Sequence, residues 1–297
     1  MKTTDVMTAL ERLGTAHMTI SVTGSTFSHN RGDHFQANTD AANTGVVQNV
    51  TFNGNTLTGD RGTTYGGTDL GGSITINPGG AANVTCDIEG NSINGAVSSA
   101  ITLDSSNTSA IHGTLKNNLI GTAGTLDSGS SQGDGISVFA INSSTLGALI
   151  ANNTIKQYSN LAGIDIKQSS GSAAIQAVVT GNSISNPGTF AGEAVFVASG
   201  AASGDSGTMC LDLGGAGPLA NSIAGAGANG SSDFRVRQRF NTTVRLPGYL
   251  GTNQDTAGVV SFLQPRNNGN GTPSGQATVP VPFTGGGFVG GAGCTAP

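Results

Sequence analysis

Apolar residues recur at every second position in short runs along this chain, and each run closes on the same phrase. The phrase is a small residue or Asn, then Asn, then any residue, then an aliphatic one. It reads Gly54-Asn55-Thr56-Leu57, Gly90-Asn91-Ser92-Ile93, Asn117-Asn118-Leu119-Ile120, Asn152-Asn153-Thr154-Ile155, Gly181-Asn182-Ser183-Ile184 and Ala220-Asn221-Ser222-Ile223. Gly24-Ser25-Thr26-Phe27 is a degenerate first copy. Reading back from the Asn in steps of two gives Ile88, Cys86 and Val84 in one copy and Leu115, Gly113 and Ile111 in the next. Such alternation predicts a strand with one buried face. A second run per repeat predicts a second strand: Phe35, then Ile74 and Ile76, Ile101 and Leu103, Ile136 and Val138, Ile164 and Ile166, Val195 and Val197, Phe234 and Val236.

The closing apolar residues Phe27, Leu57, Ile93, Ile120, Ile155, Ile184 and Ile223 lie 27 to 39 residues apart. Constant strands with one variable connection per period define a solenoid. The expected fold is an all-β parallel β-helix of about seven coils, stacked about 4.8 Å apart. Its inside would be columns of aliphatic side chains. Asn55, Asn91, Asn118, Asn153, Asn182 and Asn221 would form a structural ladder at one turn. There Asn tolerates a left-handed backbone and can hydrogen-bond its equivalents above and below.

The repeated Asn-x-aliphatic turn and the strand before it resemble right-handed parallel β-helix repeat proteins, the pectate-lyase-like group, over about residues 17–240. The resemblance implies a single-stranded right-handed parallel β-helix. It implies no one activity, because lyases, hydrolases, phage tailspikes and adhesins share the scaffold. Residues 242–249, 255–263 and 266–268 look like a C-terminal segment of large bacterial secreted β-helix proteins, some of them autotransporter-like. The chain then divides into an N-terminal cap or truncated coil over 1–16, the β-helix over 17–240, and a C-terminal cap with a Gly/Pro-rich tail over 241–297. Val6, Leu10 and Leu13 at helical spacing behind Asp5 predict a short capping helix, with a truncated coil as the alternative. The stretch 269–297 reads as a linker or loose wrap.

Composition narrows the function. Charged residues make up 10% of 297 and Gly supplies 48 of them, which excludes a coiled coil or charged bundle. A net charge of -5 with scattered Lys and Arg argues against nucleic acid. No apolar run reaches the roughly 18 residues of a transmembrane segment. The N-terminus carries no secretory h-region. Cys210 and Cys294 flank the whole C-terminal region, and a disulfide between them would tie the tail to the last coil in an oxidising compartment. The expectation is therefore a fragment of an extracellular or cell-surface bacterial protein, monomeric as isolated. Cys86 lies in an inward column and reads as a small buried apolar residue.

Candidate chemistry follows from the outward positions. Thr85, Asp87 and Glu89 alternate with the buried column in one copy, and His112, Thr114 and Lys116 in the next. Glu89 and Lys116 should be adjacent-rung neighbours, with His112 close to Asp87. Asp87, Glu89, His112 and Lys116 are thus catalytic candidates for acid–base work on an acidic polysaccharide, against a plain cross-strand ion pair. The other outward face offers Asp104, Asp165 and Lys167, where a solvated surface is expected. Arg235, Arg237 and Arg239 share one outward face of a late strand, where they either blunt the last edge or bind an anionic ligand. Of four polygalacturonase-like motifs, Asn38-Thr39-Asp40 alone is matched, so no residue role is carried over. The four His and the Cys residues show no metal-ligand spacing. No cofactor is expected, except calcium if the chain is a lyase. The expected role is structural or adhesive, with a cell-surface glycan or protein as partner. The alternative is a polysaccharide lyase or glycoside hydrolase.

Overall fold

The computed structural model describes residues 9–10, 15–28, 30, 32–59, 71–159, 161–295 and 297, and shows a parallel β-solenoid. Three parallel sheets of nine, nine and seven strands run along it. The first stacks Ala9–Leu10, Phe35–Asn38, Ile74–Asn77, Ile101–Ser105, Ile136–Asn142, Ile164–Gly171, Val195–Ser199, Phe234–Gln238 and Gly275–Thr278. The second stacks His17–Thr23, Val47–Asn53, Asn83–Glu89, Ala110–Lys116, Thr145–Ala151, Ala174–Thr180, Thr208–Leu213, Thr243–Arg245 and Gly287–Val289. The third is a column of two- and three-residue strands from Thr26–Ser28 to Ser222–Ile223.

The register follows the hydrophobic pattern. Phe35, Ile74, Ile101, Ile136, Ile164, Val195 and Phe234 are successive partners along the first sheet, and all are buried. A slip of one residue would turn every one of them to solvent, so the buried column holds the register. In the second sheet the inward column runs Val50, Cys86, Gly113, Ala148, Ala177, Leu211. Its sizes are matched to what faces it. A Cβ on Gly113 would stand 2.6 Å from Leu103 Cδ1 and 3.3 Å from Cys86 Sγ. Burial pushes the free Cys86 thiol up to about 12, so it packs as an unreactive apolar group.

The Asn column is a hydrogen-bonded ladder. Asn91 donates from both its backbone N and its Nδ2 to Asn118 Oδ1, each at 3.0 Å, and its Nδ2 also donates to Phe52 O at 2.8 Å. Asn118, Asn153 and Asn182 repeat the pattern toward Asn153, Asn182 and Asn221. The left-handed residue is not the ladder Asn, as the sequence reading had it, but the one before. Gly24, Gly54, Gly90, Asn117, Asn152 and Gly181 have φ between 54° and 66°. Gly and Asn are the residues that enter this region at low cost, which explains the first position of the phrase.

At the N-terminal end the described residues follow the coil alternative rather than the helix, and at the C-terminal end they depart from the linker reading. Ala9–Leu10 pairs parallel with Gln36–Ala37 as a first-sheet strand. The remaining residues of the expected helix, Asp5, Val6 and Leu13 among them, lie outside the described residues. At the other end, Gly275–Thr278 pairs with Phe234–Arg237 and Gly287–Val289 with Thr243–Arg245. A stretch whose composition reads as a linker therefore supplies two further rows. Its Gly content answers to close packing: a Cβ on Gly275 would fall 2.1 Å from Phe234 Cζ. Helix Thr256–Leu263, capped by Asp255 Oδ1 accepting from Gly258 N at 2.8 Å, buries Val259 and Leu263. The helical turn after it brings Asn267 under the ladder. Asn267 Oδ1 accepts from Asn221 Nδ2 at 2.8 Å, and its own Nδ2 donates to Leu263 O at 2.8 Å. Arg266, ion-paired with Asp212, holds that turn to the preceding coil.

Candidate functional site

Two outward faces carry the candidate residues. On the second sheet, Asp87, Glu89, His112 and Lys116 share one face of neighbouring strands. Lys116 is the register partner of Glu89, while Asp87 is opposite Thr114 and His112 opposite Thr85. Among the described residues no ion pair joins these four. Asp87 Oδ2 accepts from Asn53 Nδ2 at 2.9 Å, and Glu89 Oε1 from Asn117 Nδ2 at 2.7 Å. The carboxylates are thus satisfied by amides rather than aimed together.

The chain's own C-terminal segment crosses this face further along. Cys294 is disulfide-bonded to Cys210, Thr295 N donates to Gln176 Oε1 at 3.3 Å, and Pro297 lies over Gly147. Cys210, Gln176 and Gly147 are successive rungs of one column, so the segment descends the face toward His112. The cleft between segment and sheet measures about 420 Å³ and is lined by His112, Gly147, Gln176, Thr295 and Pro297.

The first sheet's outer face differs from its expected solvated surface. Asp165 is 2% exposed and ion-pairs with Lys167 at 2.5 Å. Asp134, in the connection just before Ile136, is 4% exposed and accepts from Ala162 N at 2.7 Å. The Asp165 charge lies close to the Asp134 carboxyl, and Asp165 Oδ1 is buried with no hydrogen-bond partner. Burial, with the Asp165 charge beside it, pushes Asp134 up to about 7. Burial raises Asp165 too, opposed by Lys167. One rung on, Glu193 is buried and pairs with Arg235 at 3.7 Å. Asp104, at the other end of this face, is raised by burial, and its Oδ1 has no hydrogen-bond partner.

Asp134 and Glu193 carried no signal in the sequence, because both lie two residues before a strand, in the connection of variable length. Their shared offset from Ile136 and Val195 is the clue that could have found them.

Arg235, Arg237 and Arg239 do not blunt an edge, since Gly275–Thr278 covers their strand. Arg235 is taken by Glu193. The Arg237 guanidinium lies 5.9 Å from the Phe196 ring centroid, and Lys167 Nζ lies 5.5 Å from the same centroid. Arg239, just past the strand, lies over Phe240.

No group of three or more His, Cys, Asp or Glu side chains among the described residues is placed to hold a metal ion. No helix among them is long and apolar enough to cross a membrane. Comparison of the chain with protein-family models, curated proteins and solved structures finds no match.

Proposed function

We propose that this chain is a structural or adhesive segment of a bacterial exported cell-surface protein, of the pectate-lyase-like, autotransporter-passenger kind, and that it is not catalytic. The observation that carries the reading is the unbroken Asn ladder from Asn55 to Asn221, closed by Asn267. Stacked sheets sharing a buried polar ladder make a stiff rod whose connections can vary without disturbing it. The Cys210–Cys294 bond supports export, because such bonds persist in oxidising compartments. A cell-surface glycan or protein is the partner class.

The test is a turnover screen of the whole purified chain on pectin, polygalacturonate, alginate and neutral glycans, with and without calcium. Unsaturated-uronide absorbance and reducing ends are followed together. No turnover is expected. Turnover lost in Glu89→Gln would overturn the reading in favour of a lyase or hydrolase using Asp87, Glu89, His112 and Lys116. A hydrolase is also favoured by one specific observation on the other face: a carboxyl pushed up to about 7 beside a second one, the setting of a general acid. Turnover lost in Asp134→Asn would place the chemistry there.

A further inference from the structure

We propose that the first sheet's outer face binds an oxyanion, a carboxylate or sulfate carried on a saccharide, in the gap between Lys167 and Arg237. Lys167, Ala198 and Arg237 are successive rungs of one outward column. The two side chains are therefore rooted about 9.6 Å apart along the stack, twice the strand spacing, with the Ala198 methyl between them, and both cations lean over the Phe196 ring. Ala198 is half-buried and open to solvent. In the neighbouring outward column, Phe196 sits between Asp165 and Arg235 and forms the wall of the gap.

The acids and bases of this face are not all paired with one another. Asp165 is held by Lys167 and Glu193 by Arg235. Arg237 has no carboxylate within ion-pair reach among the described residues, and its guanidinium rests on the Phe196 ring. Burial, with Arg239 and Arg235 nearby, pulls Arg237 below its usual range. Lys167, Arg235, Arg237 and Arg239 gather on this face beside Asp104, Asp134, Asp165 and Glu193, and of the strand cations Lys167, Arg235 and Arg237 it is Arg237 that is left over. A guanidinium and an ammonium leaning over one aromatic ring suit an oxyanion. The inference names the ligand class of the adhesive reading and rests on it.

The experiment measures binding of polygalacturonate, dextran sulfate and neutral dextran to the full chain at low and physiological salt. Wild type, Arg237→Gln and Ala198→Glu are compared. The Glu of the second variant places a carboxylate in the gap and leaves the buried pairs intact. Wild type is expected to bind one or both polyanions, more weakly as salt rises, and not dextran. Each variant is expected to lose roughly tenfold or more in affinity with its unfolding temperature unchanged or, for Ala198→Glu, raised. Binding of one polyanion alone identifies carboxylate or sulfate as the source. The proposal is overturned if wild type binds neither polyanion, or if both variants bind like wild type. Cleavage of polygalacturonate would instead sink the non-catalytic reading and leave this site standing, so the two failures are distinguishable.

Discussion

The outer faces of the first and second sheets are built on the same alternation, yet they handle charge in opposite ways. On the second sheet the outward acids Asp87 and Glu89 sit two residues apart on one strand, bound by Asn amides, and part of the face is covered by the chain's own C-terminal segment. On the first sheet, acids from the connections, Asp134 and Glu193, fold back beside acids and bases of the strands, and the result is a buried charged cluster. Strand positions alone give a regular, solvated face. A connection that folds back over a strand removes water and makes titration and pairing depend on neighbours.

The largest effect should come from cutting the covered face loose. Replacing both Cys210 and Cys294 by Ala opens a link between residues 84 apart and should cost about 4.5 kcal/mol in the chain-entropy model. Chemical unfolding would show it, and protease sensitivity of residues 290–297 should rise with it. An unchanged midpoint would mean that the segment is held by its packing alone.

Next is the charged cluster. Lys167→Met leaves the nearly buried Asp165 carboxylate without its cation and should cost about 2–3 kcal/mol, a figure reduced because Lys167 is one-third exposed. Loss of less than about 0.5 kcal/mol would make the pair a surface contact like those of the other face.

The raised Asp134 carboxyl gives a pH signature. Asp134 has its ordinary value of 3.8 when unfolded and about 7 when folded, so the folded state binds the extra proton. Stability from this group is complete below about pH 4, falls as pH rises to about 7, and is level beyond. Asp134→Asn should flatten that fall in unfolding temperature and be the more stable protein at pH 8. Parallel profiles for the two proteins would rule out a raised Asp134 carboxyl.

The smallest effect is expected on the second sheet. Glu89→Gln keeps an acceptor for Asn117 and should change stability by less than about 0.5 kcal/mol. A larger loss would mean that this face, too, depends on its charge.

Much of this was legible in the chain. The two periodicities placed Ile74, Ile101, Ile136 and Ile164 in one column and the six Asn in another, because both patterns repeat at fixed offsets within each period. On the candidate face the outward strand positions of Asp165, Lys167 and Arg237 were legible, but the burial of Asp165 was not, since a solvated surface was expected there. Asp134 and Glu193 were not legible, since a connection of variable length has no register until it packs. The tail was misread for a related reason: Gly serves both flexible linkers and the closest strand contacts, and the presence of Phe234 against Gly275 decides between them.

The sequence by itself determined the solenoid, its strand register and the polar ladder, because side-chain alternation and a strict Asn phrase are local signals that each coil repeats. Only the tertiary structure decided which residue of the phrase turns left-handed, that Asn267 ends the ladder, and which charges become buried together. Those outcomes depend on how connections of unequal length fold back onto neighbouring coils. Water is excluded there by residues that are distant in sequence, and no local pattern encodes their meeting.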